Sequence, residues 1–238
     1  MMRVGVIASG VGLGFSVLAA PSFASEQIYT YAVVHPIYGE IGTFTDSIER
    51  NADITRISTR LRVAVTLLGI VAYREESDGT EVLDGNRLVS LQSVSNKDGR
   101  HLEVHGEAQG DEFVVTGMTG TATAPGTVTP SDPWLLKRTG DQTVVSTATG
   151  RIVDVNVSGG EVEKVAVDGA VVHARHFVVD GDKRQEVWMD SRDIPVMFRT
   201  MENGTAIDFV LKAPGKEHPT TETAAKPAAV PELPGNTR

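Results

Sequence analysis

Cysteine is absent from all 238 residues, which excludes disulfides, thiolate metal sites and cysteine nucleophiles together. Basic residues are in deficit: 22 Lys and Arg stand against 31 Asp and Glu, a net charge of −9. Nucleic-acid binding requires clustered cations against phosphates, so this balance argues against it. Aromatics make up only 5% of the chain, with two Trp, so the few that occur must do much of the large-volume packing. Neither a Gly-x-Ser-x-Gly elbow nor a Ser-x-x-Lys pair occurs after residue 24, leaving no pointer to a nucleophilic serine. Long apolar runs are also missing, with one exception at the start of the chain. The overall 40% hydrophobic and 22% charged composition is that of a folded globular protein.

The exception follows Arg3: residues 4–20 carry no charge and lead into Pro21-Ser22-Phe23-Ala24. A basic start, an apolar run and small residues at Ser22 and Ala24 form the pattern of a signal peptide spanning residues 1–24. A membrane-spanning helix needs about 20 predominantly apolar residues, whereas this run is shorter and holds Gly5, Gly10, Gly12 and Gly14. Those glycines lack a preceding strand and the spacing of a nucleotide loop. The mature chain is thus expected to be periplasmic or secreted, with no transmembrane helix and no lipid-anchored cysteine. At the other end, residues 213–238 bring Pro214, Pro219, Pro227, Pro231 and Pro234, with Val230 and Leu233 among few large apolar side chains. Such a segment buries too little to offset its ordering entropy, so a disordered Pro-rich tail is expected. Its functional alternatives are a spacer or a ligand for a partner.

Between these ends, residues 25–212 read as a single β-domain. Asp78-Gly79, Asp84-Gly85, Asp98-Gly99, Asp168-Gly169, Asp180-Gly181 and Asn203-Gly204 supply candidate hairpin turns, with Gly110-Asp111, Gly140-Asp141 and Gly159-Gly160 as further ones. The intervals alternate in hydrophobicity, as in Val153, Val155 and Val157, or Ile207, Phe209 and Leu211. Within residues 53–73, Leu61, Val63, Val65, Leu67, Val71 and Tyr73 share one parity and Arg56, Arg60 and Arg62 the other. Period two predicts either one long strand bent near Gly69 or two strands. Residues 131–138 predict one short helix, capped by Ser131 with Pro133 in its first turn. The fold class that results is all-β: a curved antiparallel meander of about ten or eleven strands, a half-barrel or open barrel.

The stretch Leu67-Leu68-Gly69-Ile70-Val71-Ala72-Tyr73, then Glu81 through Leu91, Asn96-Lys97-Asp98-Gly99 and Thr147-Ala148-Thr149-Gly150 resemble an exported, functionally uncharacterised β-protein family of Gram-negative bacteria. Glu186-Val187-Trp188-Met189-Asp190, Ile194-Pro195-Val196, Gly204 and Leu211 resemble a related uncharacterised family. Leu83 departs from the pattern, which expects an aromatic there. The resemblance implies a curved sheet similar to those of periplasmic lipid and lipoprotein carriers, and it brings no catalytic residue.

Candidate chemistry is sparse. His101 and His105 lie about 13 Å apart along an extended strand, and His173 and His176 face opposite sides of one, so neither pair chelates a metal. Asp180-Gly181-Asp182 lacks the remaining calcium-loop ligands. Glu75 with Glu76, Asp190 with Asp193, and Glu161 with Glu163 read as solvated edges and turns. No cofactor, metal site or catalytic residue is expected. What stands out is the unbroken apolar stripe Leu61, Val63, Val65 and Leu67, which a curved sheet must turn towards something. Its cover is either protein, namely the Trp134 segment with Trp188, Phe198 and Phe209, or an apolar ligand such as a lipid or acyl chain, lined by Leu61, Val63, Val65, Leu67, Trp134, Trp188 and Phe198. The corresponding functions are a non-enzymatic carrier of an apolar ligand and a cell-envelope structural or assembly factor acting through protein contacts. Export itself is open to a direct check: the intact mass of the protein recovered outside the cytoplasm should correspond to a chain beginning at Ser25. A mass retaining Phe23 would refute the assignment.

Overall fold

The computed structural model describes residues 25–135 and 139–219, without the side chains of Leu67 and of residues 213–219. The expected signal segment, residues 136–138 of the expected helix, and residues 220–238 lie outside the described residues.

The first half of the chain is an up-and-down meander. It begins with β1 (Ser25–His35), β2 (Gly39–Asn51), β3 (Ile54–Leu67) and β4 (Ile70–Asp84). It continues through β5 (Arg87–Lys97), β6 (Arg100–Gln109), β7 (Glu112–Gly117) and β8 (Gly120–Pro125). The second half contributes β9 (Thr129–Pro130), β10 (Gly140–Val145), β11 (Ile152–Val167) and β12 (Ala170–Asp180). It closes with β13 (Gln185–Met189), β14 (Pro195–Glu202) and β15 (Thr205–Pro219). All fifteen belong to one sheet, in the order β8-β7-β6-β5-β4-β3-β2-β1-β15-β14-β13-β12-β11-β10-β9. Every pairing is antiparallel except the short β9–β10 contact.

This order forces the sheet to roll. The edge strands β8 and β9 are consecutive in the chain, joined only by residues 126–128, which reach about 14 Å at most. Laid flat, fifteen strands would hold those edges roughly 65 Å apart. The edges therefore meet, but through a seam and not a ladder, so the barrel is not closed. The Met118 N–H donates to the Thr149 carbonyl (2.8 Å), and the Ser93 hydroxyl to the Thr147 carbonyl (2.7 Å). At the seam Gly117 and Gly150 let two backbones touch, since a Cβ on Gly117 would run into the Thr149 carbonyl.

Rolling creates two cores. The larger gathers Tyr29, Tyr31, Ile48, Ile57, Trp134 and Phe198 beneath the central strands. The smaller, under β5–β8 and β10, is built on Leu88, Leu91, Val104, Phe113, Val115 and Val145.

The all-β, curved, antiparallel expectation holds, with corrections of detail. The described residues form fifteen strands, because residues 53–73 are two strands meeting at Leu68-Gly69 and because short strands flank the seam. The expected helix is a single 3₁₀ turn, Pro133–Leu135. Asp98-Gly99, Asp168-Gly169 and Asn203-Gly204 do form hairpin tips with both residues at positive φ. Asp78-Gly79 does not: Gly79 lies within β4, where a Cβ would stand 2.7 Å from the Thr59 hydroxyl. Gly159-Gly160 is a bulge within β11. The final strand also runs beyond the expected boundary, with residues 213–219 pairing against β1 from Thr30 back to Ser25.

The seam predicts a contrast. Gly117→Val should cost about 1–3 kcal/mol in urea unfolding, because neither backbone can withdraw without opening the roll. Gly99→Ala, at a hairpin tip with φ +79° and nothing within 4 Å, should cost only about 1–2 kcal/mol from backbone strain.

Candidate functional site

Strand alternation decides which side chains enter the rolled interior. On β3 the inward parity is Ile57, Leu61, Val63 and Val65; β2 aligns Phe44 with Leu61 and Ile48 with Ile57. On β4 the sequence Tyr73, Glu75, Ser77, Gly79, Glu81, Leu83 faces the same way, as its alternating burial shows. From the other half, β15 adds Phe209 and Leu211 and β14 adds Phe198, which pairs with Phe209.

An aromatic floor crosses this interior. Phe198 and Phe209 stack at 4.3 Å, Phe44 meets each edge-on at 5.6 Å, and Tyr31 reaches Phe198 at 5.3 Å. The Tyr31 hydroxyl is anchored by donating to the Pro195 carbonyl (2.9 Å). The floor and the wall above it are apolar yet incompletely covered: Phe198 and Val63 are buried, whereas Phe44 and Phe209 in the floor and Leu61 and Val65 in the wall are only half-buried. The rim is polar. Lys97 on β5 lies 3.4 Å from Glu75 and 3.8 Å across the interior from Glu202 on β14, which also pairs with Lys183 (2.6 Å). Tyr73 donates to Glu75. Burial, then this hydrogen bond, pushes the Tyr73 phenol up to about 12. These rim groups are substantially exposed, so each pair contributes at most about 1 kcal/mol and the bridge opens readily.

Below the floor lies a cluster that sequence reasoning passed over. Asp46, Glu81 and Asp132 are buried beside Trp134, whose ring sits 4.3 Å from Tyr29. The Trp134 indole N–H donates to Asp46 (2.8 Å), and its backbone N–H to Asp132 (2.7 Å), which fixes the 3₁₀ turn as a plug. Among the described residues, Asp46 Oδ1 and Glu81 Oε2 have no hydrogen-bond partner. Burial above all, and then the Asp132 charge, hold the Asp46 and Glu81 carboxyls well above the ordinary range. Burial raises Asp132 to about 6 against the pull of the Trp134 N–H. The available signal was a carboxylate at an apolar parity: Phe44-x-Asp46-x-Ile48 and Gly79-x-Glu81-x-Leu83.

The residues expected to line an apolar site are therefore divided. Leu61, Val63 and Val65 share one wall, and Phe198 lies in the floor beneath it. Trp134 fills the lower interior. Trp188 points the other way: Val187 pairs with Phe198, and Trp188, the next residue, with Met197, so its ring occupies the opposite face. There it stacks on His176 at 4.4 Å, donates to Glu163 and lies under Arg199. The side chain of Leu67 lies outside the described residues.

His101 and His105 pair with Glu103 and Glu107 on an exposed face. Among the described residues no group of His, Asp or Glu has the geometry to hold a metal ion, and no helix is long and apolar enough to cross a membrane. Two surface depressions, of about 430 Å³ beside Arg87 and Asp111 and about 320 Å³ beside Asp141 and Asp154, have charged linings unlike the interior wall.

A family model, described as a domain of unknown function (DUF6134), matches residues 39–212. No curated protein matches the chain. Among solved structures, a β-barrel-like protein of domain of unknown function DUF1849 from Brucella abortus is similar at 13% identity and a TM-score of 0.56. The match covers 83% of this chain and 99% of that one. At that identity the likeness is one of fold.

The buried acids set the pH dependence. A carboxyl whose pKa is higher in the folded than in the unfolded state binds its proton more tightly when folded. The contribution of these buried acids should then be fully present below pH ~4 and be lost as pH rises through about 6, on the order of a few kcal/mol for the coupled group. Asp46 and Glu81 extend the decline to higher pH. Glu81→Gln should raise stability at pH 8, leave it nearly unchanged at pH 4, and flatten the profile measured by urea unfolding.

Proposed function

The chain belongs to the DUF6134 family, and we propose that it is a non-enzymatic envelope carrier that takes a lipid or acyl chain into the upper interior of its rolled sheet. The observation that carries this reading is the half-burial of Leu61 and Val65 in the inward-facing wall and of Phe44 and Phe209 in the floor beneath, whose Phe198 is buried. Apolar side chains turned inward but left partly wet gain free energy when an alkyl chain covers them, at about 25 cal/mol per Å². The rim supports reversible entry, because Lys97 joins Glu75 and Glu202 through exposed, weak pairs and not through a backbone ladder. The unclosed seam supports it too, since the wall can part there without breaking a continuous set of strand pairings.

Titration of the purified domain with palmitate should raise its melting temperature with the logarithm of ligand excess, because a ligand that binds only the folded state stabilises it. Native mass spectrometry should show the added fatty-acid mass. Val65→Trp should occupy the space above Phe44, leave the fold intact and abolish both responses. If neither palmitate nor a phospholipid shifts the wild-type melting temperature or adds mass, the carrier reading fails.

A further inference from the structure

The β3–β4 hairpin outruns its sheet. β2 accompanies β3 only as far as Gly42 opposite Val63, and β5 joins β4 only from Lys97 opposite Glu75. Yet β3 and β4 stay paired up to Leu67 opposite Ile70. The residues between, 63–73, contain no charge and only two polar side chains, Thr66 and Tyr73. At the tip Leu68 is fully exposed and Ile70 is 72% exposed.

The turn chemistry shows that this tip departs from local preference. Leu68 and Gly69 adopt φ of +51° and +80°, the same conformation as Asp98-Gly99 and Asn203-Gly204. Positive φ at the first position favours Asn or Asp and strains a leucine. Here alone among these tips the strained, exposed place is held by a large apolar side chain. Ile37 and Tyr38, in the turn between β1 and β2, are exposed at the same end of the sheet, because alternate turns of a meander share an end.

We infer that this ribbon docks the protein on a phospholipid bilayer surface. The ribbon is apolar on both of its faces and at its tip, which suits immersion in a surrounding apolar layer better than packing against a one-sided groove. Moving away from the tip, the first charge on each strand is a cation, Arg62 on β3 and Arg74 on β4, in a chain of net charge −9. Arg62 is held by Asp78 at 2.7 Å, while Arg74 meets Glu76 only at 3.9 Å and stays available to a lipid phosphate. Tyr73 precedes Arg74 and has the Lys97 ammonium 5.6 Å over its ring, an arrangement that suits an aromatic at headgroup level. Depth is limited by the backbone: the outer edges of residues 64–67 and 70–73 have no strand beside them, so they must keep headgroup or water partners. From Tyr73 to the tip the ribbon spans roughly 16 Å, enough to cross the headgroups and reach the first acyl carbons.

The docking surface is separate from the interior site, and the two are tested apart. Mature protein is sedimented with vesicles of phosphatidylethanolamine and phosphatidylglycerol. Wild type should co-sediment. Leu68→Asn should weaken this by roughly tenfold, the loss of one interfacial contact worth about 1.4 kcal/mol, while raising the melting temperature because Asn-Gly relieves the turn. The same variant should still take up palmitate in solution. Wild type that stays in the supernatant overturns the inference, as does a Leu68→Asn variant that sediments equally well. A wild-type dimer in solution that Leu68→Asn converts to a monomer, without vesicle binding, would assign the tip to a second copy of the chain and overturn it as well.

Discussion

The short link between β8 and β9 is the constraint on which the rest of the structure depends. Three residues connect the opposite edges of a fifteen-stranded sheet, so the sheet has no flat solution. Rolling creates an inside, and the inside explains the parity of every long strand. It also places the first and last strands side by side in the middle of the sheet, where β1 pairs with β15 over most of its length. Contacts so distant in sequence close late and slowly, because the loop entropy precedes the reward.

The interior that results is layered. Its lower part is filled by Trp134 and holds three buried carboxyls, two of which have an oxygen without a partner among the described residues, an arrangement that lowers stability near neutral pH. Its floor is a set of interlocking aromatic rings. Its upper part is an apolar wall under an exposed ionic rim. Orphaned buried carboxylate oxygens are costly, and a fold under no other demand would replace Glu81 with an apolar residue of similar size. The layering supports a division of labour, with a rigid base below and an openable cup above.

Several features were legible from the residues alone. The stripe Leu61, Val63 and Val65 is on one face, and Asp98-Gly99, Asp168-Gly169 and Asn203-Gly204 are hairpin tips, since both follow from local stereochemistry. Other readings failed for a reason that is equally physical. Asp78-Gly79 has turn chemistry, but Thr59 on the neighbouring strand needs the space a Cβ would take, so the glycine serves packing. Leu68 lacks turn chemistry and turns nonetheless, because the β3–β4 register leaves it no alternative. Trp188 was grouped with Phe198 as a fellow aromatic, whereas a single step along β13 puts them on opposite faces.

Composition and pattern by themselves excluded thiol chemistry and indicated the all-β class, the inward stripe and several of the turns, though not Gly140-Asp141, which lies within β10. Each of these depends on the residue and its near neighbours: a missing thiol, a period of two, a glycine at positive φ. Only the tertiary structure decided that Asp46, Glu81 and Asp132 share one buried space, that Lys97 reaches Glu202, and that residues 64–73 extend beyond the neighbouring strands. Those facts arise where distant strands are brought together by the roll. Its closure is set by the order of strands in space, which no local stretch of sequence encodes.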